Sequence, residues 1–277
     1  MALRLHKYDM RCDNCPRNCE LNDGQTGFCR ARRCENGRIV CVNYGKITSA
    51  ALDPIEKKPL RHFYPGRHIL SVGSYGCNMS CDYCQNHGLS RGDPPAQTIQ
   101  PKELLDMALS IPQNLGVAFT YNEPLIGMEY LLDAAPLLQA AGLKTVLVTN
   151  GYVSGQPLLR LLPFIDAANI DVKGFSDDWY RRLGGGLAPV RRAVELCVPR
   201  CHVEITMLIV PGENDGEEET ERLSSWLASL SPEIPLHLSR FFPRHRMTDK
   251  PPTPVETLHR LAGVARRALK YVYIGNV

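Results

Sequence analysis

A chain of 277 residues, 44% of them hydrophobic, is long enough for one large α/β domain with a small appendage. A formal net charge of +3 is too mild to indicate nucleic-acid binding, and basic pairs such as Arg181-Arg182 and Arg191-Arg192 read as solvated faces. No apolar run reaches the roughly 18 residues of a membrane span. Met1-Ala2-Leu3-Arg4-Leu5 leads into polar sequence instead of a signal-peptide core, so the expected compartment is the cytoplasm.

Residues 1–45 carry six of the eleven cysteines and little periodic hydrophobicity. A reducing compartment disfavours disulfides, so this stretch predicts a small cysteine-rich module organised by metal. Residues 46–67, with Asp53-Pro54-Ile55-Glu56-Lys57-Lys58-Pro59-Leu60 and Tyr64-Pro65-Gly66, read as a proline-punctuated connector. From 68 to 277 the rhythm changes. Short apolar runs predict strands at 68–75, 116–120, 143–148, 167–172, 201–210, 235–241 and 271–274. Helix-length segments lie near 101–111, 126–141, 156–163, 176–197, 217–230 and 254–270, and Pro101 suits a first helical turn. The acidic run Glu217-Glu218-Glu219 sits where a helix N-terminus favours negative charge. Strand–helix alternation implies a parallel sheet covered by helices. The fold class expected is α/β, a partial (β/α)6 TIM-like barrel behind the cysteine-rich module; a doubly wound open sheet is the alternative.

The strand predicted to open the barrel runs directly into Cys77-x3-Cys81-x2-Cys84, at the sheet end where α/β folds place their active sites. Three thiolates on one loop can hold three corners of a cubane iron–sulfur cluster and leave the fourth iron open for a ligand. A zinc site completed by His87 is the bland reading, which the asymmetric spacing suits poorly. Cys12-x2-Cys15-x3-Cys19, with Cys29 as a fourth ligand, makes a complete set that fits either zinc or an auxiliary iron–sulfur cluster. Cys34 and Cys41 are spare candidates, and Cys197-x3-Cys201 beside His202 reads as packing.

Cys77-x3-Cys81-x2-Cys84, with the aromatic Tyr83 before the last cysteine, resembles the signature of radical S-adenosylmethionine (SAM) enzymes. The resemblance implies a [4Fe-4S] cluster whose open iron chelates SAM. One electron from an external donor of flavodoxin or ferredoxin type then yields methionine and a 5′-deoxyadenosyl radical that abstracts hydrogen from a substrate. It also assigns later strand ends. Tyr121-Asn122-Glu123-Pro124 resembles the motif that contacts the SAM amino group, although Asn122 and Glu123 also suit a turn and helix cap. Thr149-Asn150-Gly151 is similar to a segment that an aspartate precedes in glycyl-radical-enzyme activases, where it binds a cation; Val148 stands there instead. Asp171 and Lys173 resemble the Asp-x-Lys pair that such activases place near SAM and the peptide substrate; a plain salt bridge is the structural alternative. Ile209-Val210-Pro211-Gly212 is similar to the main-chain segment that contacts adenine, and His245 is a further candidate on a loop.

Over nearly its whole length the chain most resembles the radical SAM enzymes of AmmeMemoRadiSam systems, many of them labelled as pyruvate formate-lyase activating enzyme homologues. The pattern lies in Cys12-x2-Cys15-Pro16-Arg17-x-Cys19-x-Leu21, in residues 53–60, in Pro235-Leu236-His237-Leu238-Ser239-Arg240-Phe241 and in Tyr273-Ile274-Gly275-Asn276-Val277. Longer members continue past the position of Val277 with a Cys-x2-Cys-like pair. A Memo-like protein and other system members are the partners implied; the resemblance names no substrate. Two other readings stand beside it: an activase that installs a glycyl radical on a partner enzyme, and a non-catalytic zinc-binding adaptor.

Overall fold

The computed structural model describes residues 10–277; the expectation drawn from Met1-Ala2-Leu3-Arg4-Leu5 lies outside the described residues. The main element is an eight-stranded sheet whose strands follow one another in chain order. They are β1 (Ser49–Pro54), β2 (His68–Gly73), β3 (Gly116–Phe119), β4 (Lys144–Thr149), β5 (Ala167–Asp171), β6 (His202–Ile209), β7 (Leu236–Arg240) and β8 (Val272–Gly275). β1 pairs antiparallel with β2, and from β2 to β8 every neighbouring pair is parallel.

The helices are α1 (His87–Arg91), α2 (Pro101–Ser110), α3 (Met128–Ala140), α4 (Gly155–Leu161), α5 (Asp177–Arg182), α6 (Leu187–Cys197), α7 (Glu217–Leu230) and α8 (Val255–Ala265). α2, α3, α4, α6, α7 and α8 each return the chain from one parallel strand to the next, which makes six strand–helix units and a seventh parallel strand. β8 has no pairing with β1, so the sheet curls without closing: a partial TIM-like barrel, as the alternation predicts. Local chemistry sets the helix starts. Pro101 occupies the first turn of α2 while Glu103 Oε2 accepts the Gln100 N–H at 2.6 Å. Glu217, Glu218 and Glu219 fill the first turn of α7, where the peptide dipoles favour them.

Two segments depart from the sequence reading. The helix expected over 176–197 is two helices, because Gly184-Gly185-Gly186 interrupts it and Gly184 takes φ +70°, a left-handed conformation that a glycine adopts without strain. The stretch 46–67 is more than a connector, since residues 49–54 form β1 and the following residues turn inward. Ile55 and Leu60, both fully buried, pack with Ile69, Ala118, Val146 and Ala167 from the starts of neighbouring strands. Asn169 Nδ2 donates to the Pro59 carbonyl at 2.9 Å, and Glu204 accepts the His62 N–H at 2.7 Å. Residues 55–62 therefore plug the N-terminal end of the barrel.

Residues 10–45 form short antiparallel ladders, 10–11 with 20–21 and 32–35 with 38–41. Ala31 and Cys29 pack against Ile126 at the start of the second helical crossover, so this part rests on the C-terminal end of the barrel. Among the described residues no helix is long and apolar enough to cross a membrane, and no two cysteines form a disulfide.

Candidate active site

The C-terminal strand ends converge on a cavity of about 290 Å³. The loop after β2 contributes Cys77, Cys81, Tyr83 and Cys84; the ends of β3 to β8 contribute Thr120 to Glu123, Thr149 and Asn150, Asp171 and Lys173, Thr206 and Leu208, Ser239, and Asn276. Every parallel strand thus supplies a wall, and the three thiols lie together on one side.

The cysteine loop is held by hydrogen bonds from other strand ends. Asn122 accepts the Ser74 N–H through Oδ1 at 3.0 Å, and its Nδ2 donates to the Tyr75 and Gly76 carbonyls, both at 3.2 Å. Asn150 Nδ2 donates to Asn78 Oδ1 at 3.0 Å and to Cys77 Sγ at 3.6 Å, while the Met79 N–H points at the same sulfur at 3.4 Å. Tyr83 is buried and stacks on Trp179, with ring centroids 5.9 Å apart. Burial raises the Cys77 thiol above its ordinary range, and Glu123 and Cys81 add to the effect. Burial likewise pushes Cys81 up to about 11 against the pull of Lys173. Such thiols stay protonated by themselves, and coordination to a metal deprotonates them outright.

Glu123 is buried, and its carboxylate accepts three donors: Thr149 Oγ1 at 2.7 Å, the Leu125 N–H at 3.0 Å and the Asn150 N–H at 2.8 Å. Burial raises its pKa despite those bonds. The helix-cap reading of Glu123 holds, and the same carboxylate joins the ends of β3 and β4. Asp171 and Lys173 form an ion pair at the cavity edge. Burial alone would lower the Lys173 pKa, but the charge of Asp171, with Cys81 behind it, raises it above the ordinary lysine value. Asp171 Oδ1 and Thr206 Oγ1 are buried without a protein hydrogen-bond partner, and the two residues face each other in register across β5 and β6. Both line the cavity, which leaves their polar atoms for a ligand.

Not every candidate reaches the cavity by its side chain. Ile209 and Val210, expected to offer their main chain to a ligand, are instead fully buried in the main core and do not line the cavity, the Ile209 carbonyl accepting Thr253 Oγ1 at 2.6 Å; Thr206 and Leu208 on the same strand face the cavity. His245 stacks on His87 at 4.4 Å between ring centroids, on the outer side of the cysteine loop. Asn214 carries no motif, yet its Nδ2 donates to the Lys173 and Leu208 carbonyls, both at 2.8 Å, and its Oδ1 accepts the Val210 N–H at 2.7 Å. It ties the end of β5 to the end of β6. A lone Asn in a Gly-Glu-Asn-Asp loop gives no sequence signal beyond a turn.

Among the described residues no three Cys, His, Asp or Glu side chains converge closely enough to share one metal ion. A zinc ion holds its thiolates at about 2.3 Å, which puts the sulfurs about 3.8 Å from one another. A cubane takes each thiolate on a separate iron and sets them wider apart. Three thiols lining one cavity of about 290 Å³, with N–H donors aimed at Cys77 and no single-ion arrangement among them, fit a cluster better than zinc.

Parallel strands that deliver three thiols and a row of polar groups to one cavity define a cofactor-dependent enzyme of the partial-barrel class. The chain belongs to the radical SAM superfamily, whose sequence profile matches residues 71–224. Membership makes it a radical SAM enzyme and implies a [4Fe-4S] cluster and SAM, setting aside the zinc-binding adaptor. An uncharacterized protein of Methanocaldococcus jannaschii is 40% identical over 99% of this chain and 83% of its own length. The pyruvate formate-lyase-activating enzyme of Clostridium pasteurianum is 27% identical over 56% of this chain and 67% of its own length. In fold, a radical SAM methyltransferase from Sphaerobacter thermophilus superposes with a TM-score of 0.56 over 76% of this chain and 67% of that one, at 17% identity.

Proposed function

We propose that Cys77, Cys81 and Cys84 hold the [4Fe-4S] cluster on which this enzyme reductively cleaves SAM. The observation that carries the reading is the shared cavity, lined both by the three thiols and by Asp171 and Thr206, which carry unpartnered polar atoms. When bound, the reduced cluster would supply one electron to the sulfonium of SAM, the chemistry that gives methionine and a 5′-deoxyadenosyl radical. The chain's own residues position and enclose. Asn150 and the Met79 amide direct N–H groups at the Cys77 sulfur. Asn122 and Glu123 fix the strand ends that face the SAM amino group, with Thr149 held by Glu123. Tyr83 closes the loop side against Trp179. Asp171 offers Oδ1 to the cofactor. Thr206, Ser239 and Asn276 line the same cavity and are the groups left for the substrate.

The electron comes from an external flavodoxin- or ferredoxin-like protein. Its place is the outer side of the loop, where Arg91, Arg246, His87 and His245 border a second cavity that reaches all three cysteines. A basic rim there suits an acidic donor. The reading extends to the AmmeMemoRadiSam system, on the motif matches above. The narrower alternative is glycyl-radical activation, favoured by the half-buried Asp171–Lys173 pair and the likeness to the C. pasteurianum enzyme.

The test is anaerobic: reconstituted protein with dithionite and SAM should release 5′-deoxyadenosine, and a Cys77→Ala, Cys81→Ala, Cys84→Ala variant should not. Equal release by both sinks the assignment. For the activase reading, a candidate partner enzyme should acquire a glycine-centred doublet by electron paramagnetic resonance.

A further inference from the structure

Cys12, Cys15, Cys19 and Cys29 surround a second, small hollow together with Gly27, Arg32 and Ile126. Two turns bring them there. The Cys12 N–H donates to the Cys19 carbonyl at 2.9 Å and the Asn18 N–H to the Cys15 carbonyl at 3.0 Å, folding 12–19 back on itself. In the facing turn the Gly27 N–H donates to the Arg32 carbonyl at 2.7 Å. A Cβ on Gly27 would lie 3.6 Å from Cys19 Sγ, so the two turns are in van der Waals contact. Cys12, Cys15 and Cys29 are buried, and Cys19 is half-buried. Cys34 and Cys41 lie on the hairpin 32–41, outside the hollow.

This quartet touches the catalytic loop. Arg17 Nε donates to the Asn78 carbonyl at 2.7 Å, and its Nη2 donates to Gly184. Asn14 Nδ2 donates to the Leu125 carbonyl at 2.9 Å, and the Asn14 carbonyl accepts the Ser154 N–H at 3.1 Å. A Cβ on Gly76 would lie 2.3 Å from the Cys29 carbonyl oxygen, so the main chains of the two cysteine loops are in direct contact.

We propose that Cys12, Cys15, Cys19 and Cys29 bind a second, fully ligated iron–sulfur cluster rather than zinc. Four thiols from two turns around one hollow give a complete thiolate set, and thiolates are the ligands such clusters take. Among the described residues no group of three or more Cys, His, Asp or Glu side chains is arranged to hold a single metal ion, the quartet included. With every iron ligated by protein, this cluster has no open position for SAM. It braces Asn14 and Arg17, and through them the Cys77–Cys81 turn, from below.

Metal counting on the full chain decides the matter without relying on SAM cleavage. Anaerobically reconstituted wild type should hold about eight irons and the Cys77→Ala, Cys81→Ala, Cys84→Ala variant about four, because each cubane carries four. The reduced variant should keep one paramagnetic cluster signal that SAM does not perturb. A Cys12→Ser, Cys15→Ser, Cys19→Ser, Cys29→Ser variant should lose half the iron and keep the SAM-sensitive signal. Wild type with about four irons, all lost in the Cys77 variant, overturns the proposal. So does about one zinc per chain at the quartet. Should that second variant fail to fold, the wild-type iron and zinc counts still decide. About four irons retained in the Cys77 variant and lost in the quartet variant would support this site while sinking the assignment at Cys77.

Discussion

Glu123 accepts the main-chain N–H of Asn150 at 2.8 Å, so a carboxylate at the end of β3 fixes the residue whose amide reaches the Cys77 sulfur. Its other two donors, Thr149 and Leu125, leave no carboxylate oxygen unused.

Replacing that carboxylate leaves three buried donors unpaired. Each costs about 1–3 kcal/mol, so Glu123→Ala should destabilise the protein by at least about 3 kcal/mol in urea denaturation. Glu123→Gln retains one carbonyl acceptor and should cost less. Equal stability of Glu123→Ala and wild type would show that the three bonds contribute nothing.

Asn150→Ala removes an N–H donor from the Cys77 sulfur. Hydrogen bonds to cluster sulfurs favour the reduced, more negative form, so the variant's cluster should have a more negative reduction potential. A dithionite titration followed by electron paramagnetic resonance measures it. An unchanged potential would mean the amide does not bond to the bound cluster.

Glu204 predicts an acid-sensitive step at the plugged end of the barrel. Burial alone would raise its pKa, but hydrogen bonds from His202, His237 and the His62 amide override that and bring it down to about 2. A depressed carboxylate stabilises the fold fully above its ordinary pKa, near 4.5, and the contribution disappears as pH falls toward 2. The shift corresponds to something on the order of 3 kcal/mol. Wild-type stability should therefore drop between pH 4.5 and 2 more steeply than that of Glu204→Gln. Parallel curves for the two proteins would remove Glu204 from the account.

Gly184 and Gly142 both take positive φ, +70° and +76°, but only Gly184 has close neighbours. A Cβ there would meet Arg17 Nη2 and Ser80 Oγ, both at 2.8 Å, whereas at Gly142 it would meet nothing within 4 Å. Gly142→Ala should cost about 1 kcal/mol for backbone strain alone. Gly184→Ala should cost more and lower iron retention, because Arg17 and Ser80 contact the cysteine loop. Equal losses in thermal unfolding would exclude that contact as a support.

Much of this was legible in the chain. Apolar runs place β2 to β8 within about two residues because buried parallel strands are continuous hydrophobic stretches. The Cys77 loop was legible because its ligands are close in sequence and need only one turn. β1 was not, since Ser49-Ala50-Ala51-Leu52-Asp53-Pro54 lacks both an apolar run and alternation; it is a strand because β2 offers it an edge. The break at 184–186 was visible as three glycines, but the helical segments on either side mask it when read as one period. The contacts of Asn14, Arg17 and Asn214 were not legible, because their partners lie up to 167 residues away and a single polar side chain carries no pattern.

The Ile55–Leu60 plug gives the barrel a floor. A reactive species made beneath the cysteine loop meets hydrocarbon and paired polar groups on that side instead of an exit. With that end stopped, exchange with solvent is left to the opposite end, where the strand ends and the cysteine loop meet, and to the side where β8 and β1 stay unpaired.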